Sequence, residues 1–220
     1  ALVLGKRKGF PGSAMPPHNR SLVVMGAAML WVGWFGFNAG SAVAASSDAG
    51  MAMLVTHISA AVGAFTWMAL EWIRQGKPTV VGIATGMVAG LATITPAAGT
   101  VGPEGALLIG LLAGAVCYYA TQAVKGIFGI DDSLDVFAVH GIGGIWGALA
   151  TGIFTVNAIA GVDGLIESGS AAQLGKQAVG VVGTMAYSGL ASLLILFILD
   201  KIPGLGLRAP EADENAGLDL

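Results

Sequence analysis

Residues 177–199 read Gln-Ala-Val-Gly-Val-Val-Gly-Thr-Met-Ala-Tyr-Ser-Gly-Leu-Ala-Ser-Leu-Leu-Ile-Leu-Phe-Ile-Leu, a run without Asp, Glu, Lys or Arg. A helix needs about 20 mostly apolar residues to cross the hydrocarbon core of a bilayer. Five further uncharged runs are long enough, at 21–47, 49–70, 78–103, 105–124 and 136–162. None alternates apolar with polar residues as a barrel strand would. The sequence therefore predicts an all-α, polytopic transmembrane helical bundle.

The charged residues between these runs set the predicted boundaries. Residues 1–20 are expected to hold the end of a truncated helix and a cytoplasmic loop, and residues 203–220 a cytoplasmic tail. The membrane domain between them covers 21–202. Its six helices are expected at about 21–45, 50–73, 79–98, 104–125, 133–155 and 173–200.

Composition separates this chain from most soluble proteins. Charged residues make up 10% of the 220 residues and hydrophobic residues 55%, whereas a soluble domain has about 25% charged residues. The formal net charge of −3 gives no electrostatic footprint for nucleic acid. Cys117 is the single cysteine, so neither an internal disulfide nor a cysteine metal site can form, and we expect no cofactor.

Lysine and arginine fall almost entirely on one side of the predicted bundle. When six spans alternate, Lys176 is alone on one face. Loops rich in Lys and Arg stay on the cytoplasmic side, so we expect a multi-pass protein of the plasma (inner) membrane with both ends cytoplasmic. The nine of ten basic residues on that face are Lys6, Arg7, Lys8, Arg20, Arg74, Lys77, Lys125, Lys201 and Arg208.

A histidine lies inside the fifth predicted span. The run reads Asp131-Asp-Ser-Leu-Asp-Val-Phe-Ala-Val-His140-Gly-Ile-Gly-Gly144, and either Asp132 or Ser133 could cap the helix. His140 then lies about 10 Å along the helix axis. Ionisable groups at such depth tend to face the bundle interior or a pathway. We therefore favour a functional role over that of a neutral core histidine.

Aromatic residues and a serine share one face at the end of the first span. Trp34, Phe37 and Ser41 are spaced i, i+3 and i+7, which stacks them on one side of a helix. An interfacial aromatic belt is one interpretation. The other is a cation-π surface with a hydroxyl at its mouth, because aromatic faces attract ammonium-type cations. His57, in the second span, can be structural or functional on residue chemistry alone.

Glycines recur every four residues in several spans, as at Gly82, Gly86 and Gly90. Small residues let helices approach closely in lipid, so helix packing is the first interpretation. The second is that glycine leaves room for a narrow passage, above all beside His140. Thr95-Pro96 should interrupt the third helix.

Two long motifs resemble the ammonium transporter family (the Amt, Mep and Rh superfamily), on its Amt branch. They are Trp34-Phe-Gly-Phe-Asn-Ala-Gly-Ser41 and the run from Asp131 to Gly144. The resemblance extends over essentially the whole chain. Shorter matches are Gly5-Lys-Arg, Glu71-Trp, Gly76-Lys-Pro78, Ile94-Thr-Pro-Ala-Ala-Gly99, Gly206-Leu-Arg208 and Gly217-Leu-Asp219.

The resemblance implies a fold of eleven transmembrane helices and a homotrimer with one pore per subunit. This chain resembles the C-terminal half of that fold, from the end of the fifth helix through the cytoplasmic tail, with six spans present. Two inverted halves are common in transporters. We expect the complementary first half to hold the other pore histidine.

The resemblance also implies roles for individual residues. Ser41 matches the serine of the outer ammonium recruitment site, Phe37 a gate phenylalanine and Trp34 a pore-lining tryptophan. His140 matches the second of two pore histidines, and Val136, one turn earlier, is expected to line the lumen. His57 falls where the family varies, which favours a structural role for it.

The implied function is conduction of ammonium or ammonia, with methylammonium as an analogue, and not an enzymatic reaction. The outer site would recruit the cation, which would lose a proton and pass through a hydrophobic, histidine-lined pore. The resemblance implies as partners the lipid bilayer, further copies of the chain and a cytoplasmic P-II-type regulator; no nucleic acid is expected.

A Rh-like ammonia gas channel and an ammonium sensor remain alternatives. An intramembrane hydrolase is disfavoured because only His57 and His140 lie within spans, and metal catalysis usually needs three protein ligands.

Overall fold

The computed structural model describes residues 1–13 and 15–217, and these residues form helices and loops without a strand. Six of the helical segments are long and apolar enough to cross a membrane. The predicted fold class is therefore confirmed. In chain order the α-helices are α1 (Arg20–Gly40), α2 (Ser47–Gln75), α3 (Val80–Ile94), α4 (Pro103–Gln122), α5 (Ile142–Phe154), α6 (Asn157–Ala160), α7 (Leu165–Ser168), α8 (Ala172–Lys201) and α9 (Glu211–Ala216).

Three of the spans contain a turn that is not α-helical. A 3-10 turn at Thr95–Ala97 follows α3, at the point where Pro96 was expected to interrupt the helix. A π turn at Ala123–Ile127 extends α4. A second π turn at Phe137–Gly141 leads directly into α5. These turns give the third, fourth and fifth spans the bounds Val80–Ala97, Pro103–Ile127 and Phe137–Phe154.

The fifth span begins at Phe137, although the sequence pattern suggested a helix from residue 133. Asp135 has a φ of +56°, and this left-handed conformation cannot continue a right-handed helix. Residues 131–135 therefore form a separate connection in front of the span. The predicted tail ends at Leu220, but residues 218–220 and the end of the Gly217-Leu-Asp219 motif lie outside the described residues.

Glycines bring α2, α3 and α4 into backbone contact. A Cβ atom on Gly90 would lie 2.2 Å from the carbonyl oxygen of Ser59, and one on Gly114 would lie 2.8 Å from that of Gly63. A Cβ atom on Gly86 would lie 2.4 Å from the Cβ of Trp67. Such distances exclude any larger side chain without a shift of the helices. At these positions glycine is a packing residue.

A buried carboxylate fixes the connection between α2 and α3. Glu71 is 6% exposed and accepts hydrogen bonds from the backbone N–H of Thr79 at 2.6 Å and from Nε1 of Trp67 at 3.2 Å. The Thr79 hydroxyl in turn accepts from the N–H of Gly82 at 2.9 Å, which caps α3. The cap and the buried carboxylate therefore form one network.

Charged groups from three distant segments meet at one end of the bundle. Arg7 donates from Nε and Nη2 to the two carboxylate oxygens of Asp131, at 2.9 and 2.7 Å. This hydrogen-bonded guanidinium holds the pKa of Asp131 below its usual range. Arg208 pairs with Glu214 at 2.8 Å, and Lys8 contacts Glu214 and Glu211. The segment before α1, the connection in front of the fifth span and the tail are thus joined.

Helix α8 stands apart from this compact part of the bundle. Among the described residues, none on α8 is buried. Its first turns pack against the end of α5, where a Cβ atom on Gly152 would lie 2.5 Å from the Cα of Leu174. Most of the helix therefore presents apolar side chains to its surroundings, as expected for a lipid-facing or partner-facing span.

Candidate functional site

Three of the predicted site residues meet at one surface of the bundle. Trp34 and Phe37 lie on α1, and His140 lies in the π turn before α5. The ring centroids of Trp34 and His140 are 6.4 Å apart with 10° between the ring planes. The ring of Phe37 meets that of Trp34 edge-on, with centroids 6.1 Å apart. The structure therefore places the indole between the phenyl and imidazole rings.

Thr95 holds the indole of Trp34 in place. Nε1 of Trp34 donates to the Thr95 hydroxyl oxygen at 2.8 Å, and that hydroxyl donates to the Leu91 carbonyl at 2.7 Å. In the sequence, Thr95 is notable only as the residue before Pro96, where a helix interruption is expected. Its contact with a residue of α1 depends on the packing of α3 against α1. The one sequence signal for Thr95 is that it is a hydroxyl residue directly before a proline at the end of a span.

His140 lines a cleft of about 500 Å³ between the fifth span and α8. Phe137, Gly141 and Gly144 line it on one side, and Thr184 and Ser188 on the other. The imidazole is exposed to this cleft. Among the described residues, no hydrogen bond or ion pair joins His140 to another side chain. Within the part of the chain that the structure describes, both ring nitrogens can therefore bind a small ligand without competition from another side chain.

The glycines beside His140 divide between the two interpretations that the sequence left open. A Cβ atom on Gly147 would lie 2.0 Å from the Thr93 carbonyl oxygen, and one on Gly143 2.8 Å from the Thr93 hydroxyl. These two glycines are packing residues. A Cβ atom on Gly144, which lines the cleft, would meet no atom within 4 Å. Glycine at this position leaves open space beside the histidine.

The rings of Trp34 and Phe37 form an aromatic surface on α1. A smaller cavity of about 310 Å³ lies beside Phe37, at the end of this surface away from His140. Phe37, Ser41 and Asp48 are among the residues that line it. Ser41 directly follows the last residue of α1, and its hydroxyl donates to the Phe37 carbonyl at 2.8 Å. A hydroxyl oxygen that donates still has lone pairs to offer. The cavity therefore combines an aromatic wall with oxygen acceptors.

Buried hydrogen bonds anchor the helix end that carries this cavity. Nδ2 of Asn38 donates to the Thr56 hydroxyl at 2.9 Å, and this hydroxyl donates to the Ala52 carbonyl at 2.6 Å. Both polar side chains are buried. The link joins α1 to α2 and fixes the position of Phe37 and Ser41 on either side of Asn38.

The sequence model of the Ammonium Transporter Family matches residues 1–220. The chain belongs to the ammonium transporter family. This confirms the resemblance seen in the two long motifs. The ammonium transporter Amt1 of Archaeoglobus fulgidus is 47% identical over 221 residues, which cover all of this chain and 55% of Amt1. The ammonium transporter of Bacillus subtilis (strain 168) is 44% identical, over all of this chain and 54% of its own length.

Solved structures of family members have the same arrangement of helices. Mep2 of Candida albicans superposes with a TM-score of 0.88 at 37% identity, over 96% of this chain and 49% of Mep2. A structure named Sensor Amt Protein superposes with a TM-score of 0.87 at 32% identity, over all of this chain and 54% of that protein. This member of the ammonium transporter family thus spans about half the length of the relatives that it matches.

Several residues around the candidate site are exposed rather than enclosed by the bundle. The residues Phe37, Val136 and Phe137 are 63%, 53% and 50% exposed. Val136 precedes the π turn, and its side chain lines neither the cleft beside His140 nor the cavity beside Ser41. The phenyl rings of Phe37 and Phe137 therefore face outward from the described part of the chain.

His57 has a different set of neighbours from His140. Its ring lies 5.2 Å from that of Trp31 and 6.0 Å from that of Phe35. These two aromatic residues lie on α1, but they line neither the cleft beside His140 nor the cavity beside Ser41. The hydroxyl of Thr56, which precedes His57 in the chain, accepts a hydrogen bond from Asn38. His57 is therefore separate from the candidate site.

Proposed function

We propose that this chain forms half of a pore through which a membrane protein transports ammonium or ammonia. The observation that carries the proposal is the series of neighbouring rings of Phe37, Trp34 and His140, with Ser41 next to Phe37 at the end of α1. The match to ammonium transporters over the full chain supports it. The complementary half of the pore would cover this surface, since the relatives are about twice as long as the chain.

The cavity beside Ser41 is the proposed entry site for the cation. An ammonium-type cation gains energy over the face of an aromatic ring, and it donates hydrogen bonds that a serine oxygen accepts. Phe37 and Ser41 line the cavity together with the Asp48 carboxylate. The site would therefore raise the local concentration of the cation before it reaches the apolar part of the path.

We propose that the path beyond Phe37 separates ammonium from potassium. An apolar passage disfavours every ion because each must leave its hydration shell. Ammonium can release a proton and continue as neutral ammonia, whereas potassium cannot. A neutral imidazole donates one hydrogen bond and accepts another, so His140 suits a small molecule that does both. The open space beside Gly144 would keep such a passage free.

We also propose an orientation, an assembly and a regulator for the protein. The gathering of Arg7, Lys8, Lys125 and Arg208 at one end of the bundle supports a cytoplasmic position for that end. Both ends of the chain would then be cytoplasmic, in the plasma (inner) membrane. We further propose a homotrimer and a P-II-type regulator that docks on the cytoplasmic end.

Uptake of labelled methylammonium into liposomes that contain the whole protein tests the proposed function. We expect uptake that unlabelled ammonium inhibits and that potassium at equal concentration does not. Empty liposomes control for passive entry. Absence of uptake above these liposomes, or equal inhibition by potassium, contradicts the proposal.

An ammonium sensor is the second candidate, because the Sensor Amt Protein structure matches the whole chain. A transporter moves methylammonium without any partner protein, whereas a sensor needs only to bind it. Binding without uptake in the same liposomes would favour the sensor. Uptake that tracks the ammonia concentration alone as pH varies would favour a Rh-like gas channel.

A further inference from the structure

We infer that Asp132 is a positioning residue for His140. Its carboxylate caps the π turn Phe137–Gly141 and thereby fixes the height and rotation of the imidazole beside Trp34. The inference rests on the proposed function for its transport readout, and on the helix geometry alone for the capping itself.

The carboxylate of Asp132 accepts three hydrogen bonds from consecutive backbone groups. Oδ1 accepts from the N–H of Val136 at 3.0 Å, and Oδ2 accepts from those of Phe137 at 2.9 Å and Ala138 at 3.1 Å. The first N–H groups of a helix have no partner within the helix, and leaving them unpaired is costly inside a membrane. Asp132 is 9% exposed. One side chain therefore serves most of the first turn of this span.

The turn that Asp132 caps is the one that carries His140. The N–H of Ile142 bonds to the carbonyl of Phe137, five residues back instead of the four of an α-helix. The turn thus holds one residue more than an α-turn, and the direction of every side chain within it depends on that geometry. Isolated π turns occur often at functional sites. A change in the turn would rotate His140 away from the ring of Trp34.

The neighbouring residues make different contacts. Asp131 binds Arg7 at 2.7 Å, and Asp135 binds Lys125 at 2.8 Å. Ser133, the other cap that the sequence allowed, is exposed. Among the described residues, its side chain makes no hydrogen bond to the turn. The capping contacts from side chains to this turn therefore come from Asp132, and Ser133 provides a matched control beside it.

Hydrogen exchange in the whole protein tests the cap without any transport measurement. Asn is close to Asp in size but has only one oxygen to accept, so Asp132→Asn leaves part of the first turn without a partner. We expect faster exchange of the amides of 136–141 in Asp132→Asn than in the unchanged protein. Ser133→Ala should leave these amides unchanged. Equal exchange in Asp132→Asn and Ser133→Ala would overturn the inference.

A double-mutant cycle separates positioning from a general loss of stability. Methylammonium uptake, normalised to the amount of protein in the liposomes, should fall by about fivefold in Asp132→Asn, the factor that corresponds to a lost cap of ordinary strength. The apparent KM should stay the same, because the outer cavity is untouched. In a His140→Ala background, Asp132→Asn should cause no further loss, because its effect passes through His140.

An equal loss in the presence and absence of His140 would overturn the inference, because Asp132 would then act on the fold in general. A failure of the unchanged protein to take up methylammonium would instead remove the proposed function. In that event the exchange measurement still decides whether Asp132 holds the turn, so the two failures are distinguishable.

Discussion

The indole ring of Trp34 lies parallel to the imidazole ring of His140, with 6.4 Å between the ring centroids and 10° between their planes. One ring comes from the first span and the other from the start of the fifth. Their relative position therefore depends on how these spans pack around α3, which contacts both. Thr95 at the end of α3 fixes the indole, and Asp132 fixes the turn of the histidine.

Replacement of Thr95 by valine should loosen the indole. Thr95→Val keeps the side-chain shape but leaves the partly buried Nε1 of Trp34 without its acceptor, which costs about 1 kcal/mol, the lower end of the range for a buried group. We expect a lower midpoint of thermal unfolding for the purified whole protein. Thr85→Val is the control, since the Thr85 hydroxyl donates only to the Val81 carbonyl of its own helix. Equal midpoints for the two variants would contradict the role of Thr95.

Alanine at Gly147 and at Gly144 should have opposite effects. The Cβ of Gly147→Ala would lie 2.0 Å from the Thr93 carbonyl oxygen, and such overpacking costs about 1–3 kcal/mol. Gly144→Ala meets no atom within 4 Å and gains helix propensity of up to about 1 kcal/mol. Thermal unfolding of both variants checks this difference. An unchanged midpoint of thermal unfolding for Gly147→Ala would contradict the close packing of these helices.

Removal of the aromatic ring and the hydroxyl group from the cavity beside Ser41 should weaken the binding of the cation. In Phe37→Ala combined with Ser41→Ala, we expect the apparent affinity for methylammonium to fall by about thirtyfold, since a cation-π contact and a hydrogen bond of about 1 kcal/mol each are lost. Concentration-dependent uptake by the whole protein measures this. Unchanged affinity together with unchanged ion selectivity would count against the outer site.

Stability should depend on pH in opposite ways at Asp131 and Asp135. The Arg7 guanidinium lowers the pKa of Asp131, so the pair stabilises the fold above the ordinary carboxyl pKa of about 3.9. That contribution is lost as the pH falls through the lower, folded-state pKa. Burial raises the pKa of Asp135 despite the nearby Lys125. Its contribution is therefore present at low pH and lost as the pH rises through the raised pKa.

Two substitutions measure these contributions in thermal unfolding at pH 7 and at pH 3, which lies below the ordinary carboxyl pKa of about 3.9. Asp131→Asn should lower the midpoint at pH 7 and have a smaller effect at the lower pH. Asp135→Asn should raise the midpoint at pH 7, because it removes a partly buried charge and because Asn tolerates the φ of +56° at this position. A lower midpoint of Asp135→Asn at pH 7 would mean that the Lys125 ion pair outweighs the burial of the charge.

The spans could be predicted because a bilayer imposes length and apolarity on every helix that crosses it. The local turn chemistry could not be predicted to the same extent. Asp132 and Ser133 are both good helix caps, and only the left-handed conformation of Asp135 and the π turn after it make Asp132 the cap. A π turn has no reliable sequence signature, so the sequence predicts a start at about residue 133, whereas the span begins at Phe137.

The site was predictable where its residues share one helix face. Trp34, Phe37 and Ser41 follow the helical period, so their common surface could be expected before the structure was known. The stacking of Trp34 on His140 and the hydrogen bond to Thr95 join residues from different spans, and such contacts follow from packing alone. Gly143 and Gly144 illustrate the same limit, since adjacent glycines of one motif face a packed wall and an open cleft.

Methylammonium uptake and its sensitivity to potassium in His140 variants of the whole protein test the central claim most directly. His140→Ala removes the imidazole, and His140→Glu replaces it with an acid; His57→Ala is the control, since His57 lies outside the site. We predict that both His140 variants change the uptake rate or the selectivity against potassium, and that His57→Ala changes neither. If neither His140 substitution altered rate or selectivity, the account of this surface as a transport path would be wrong.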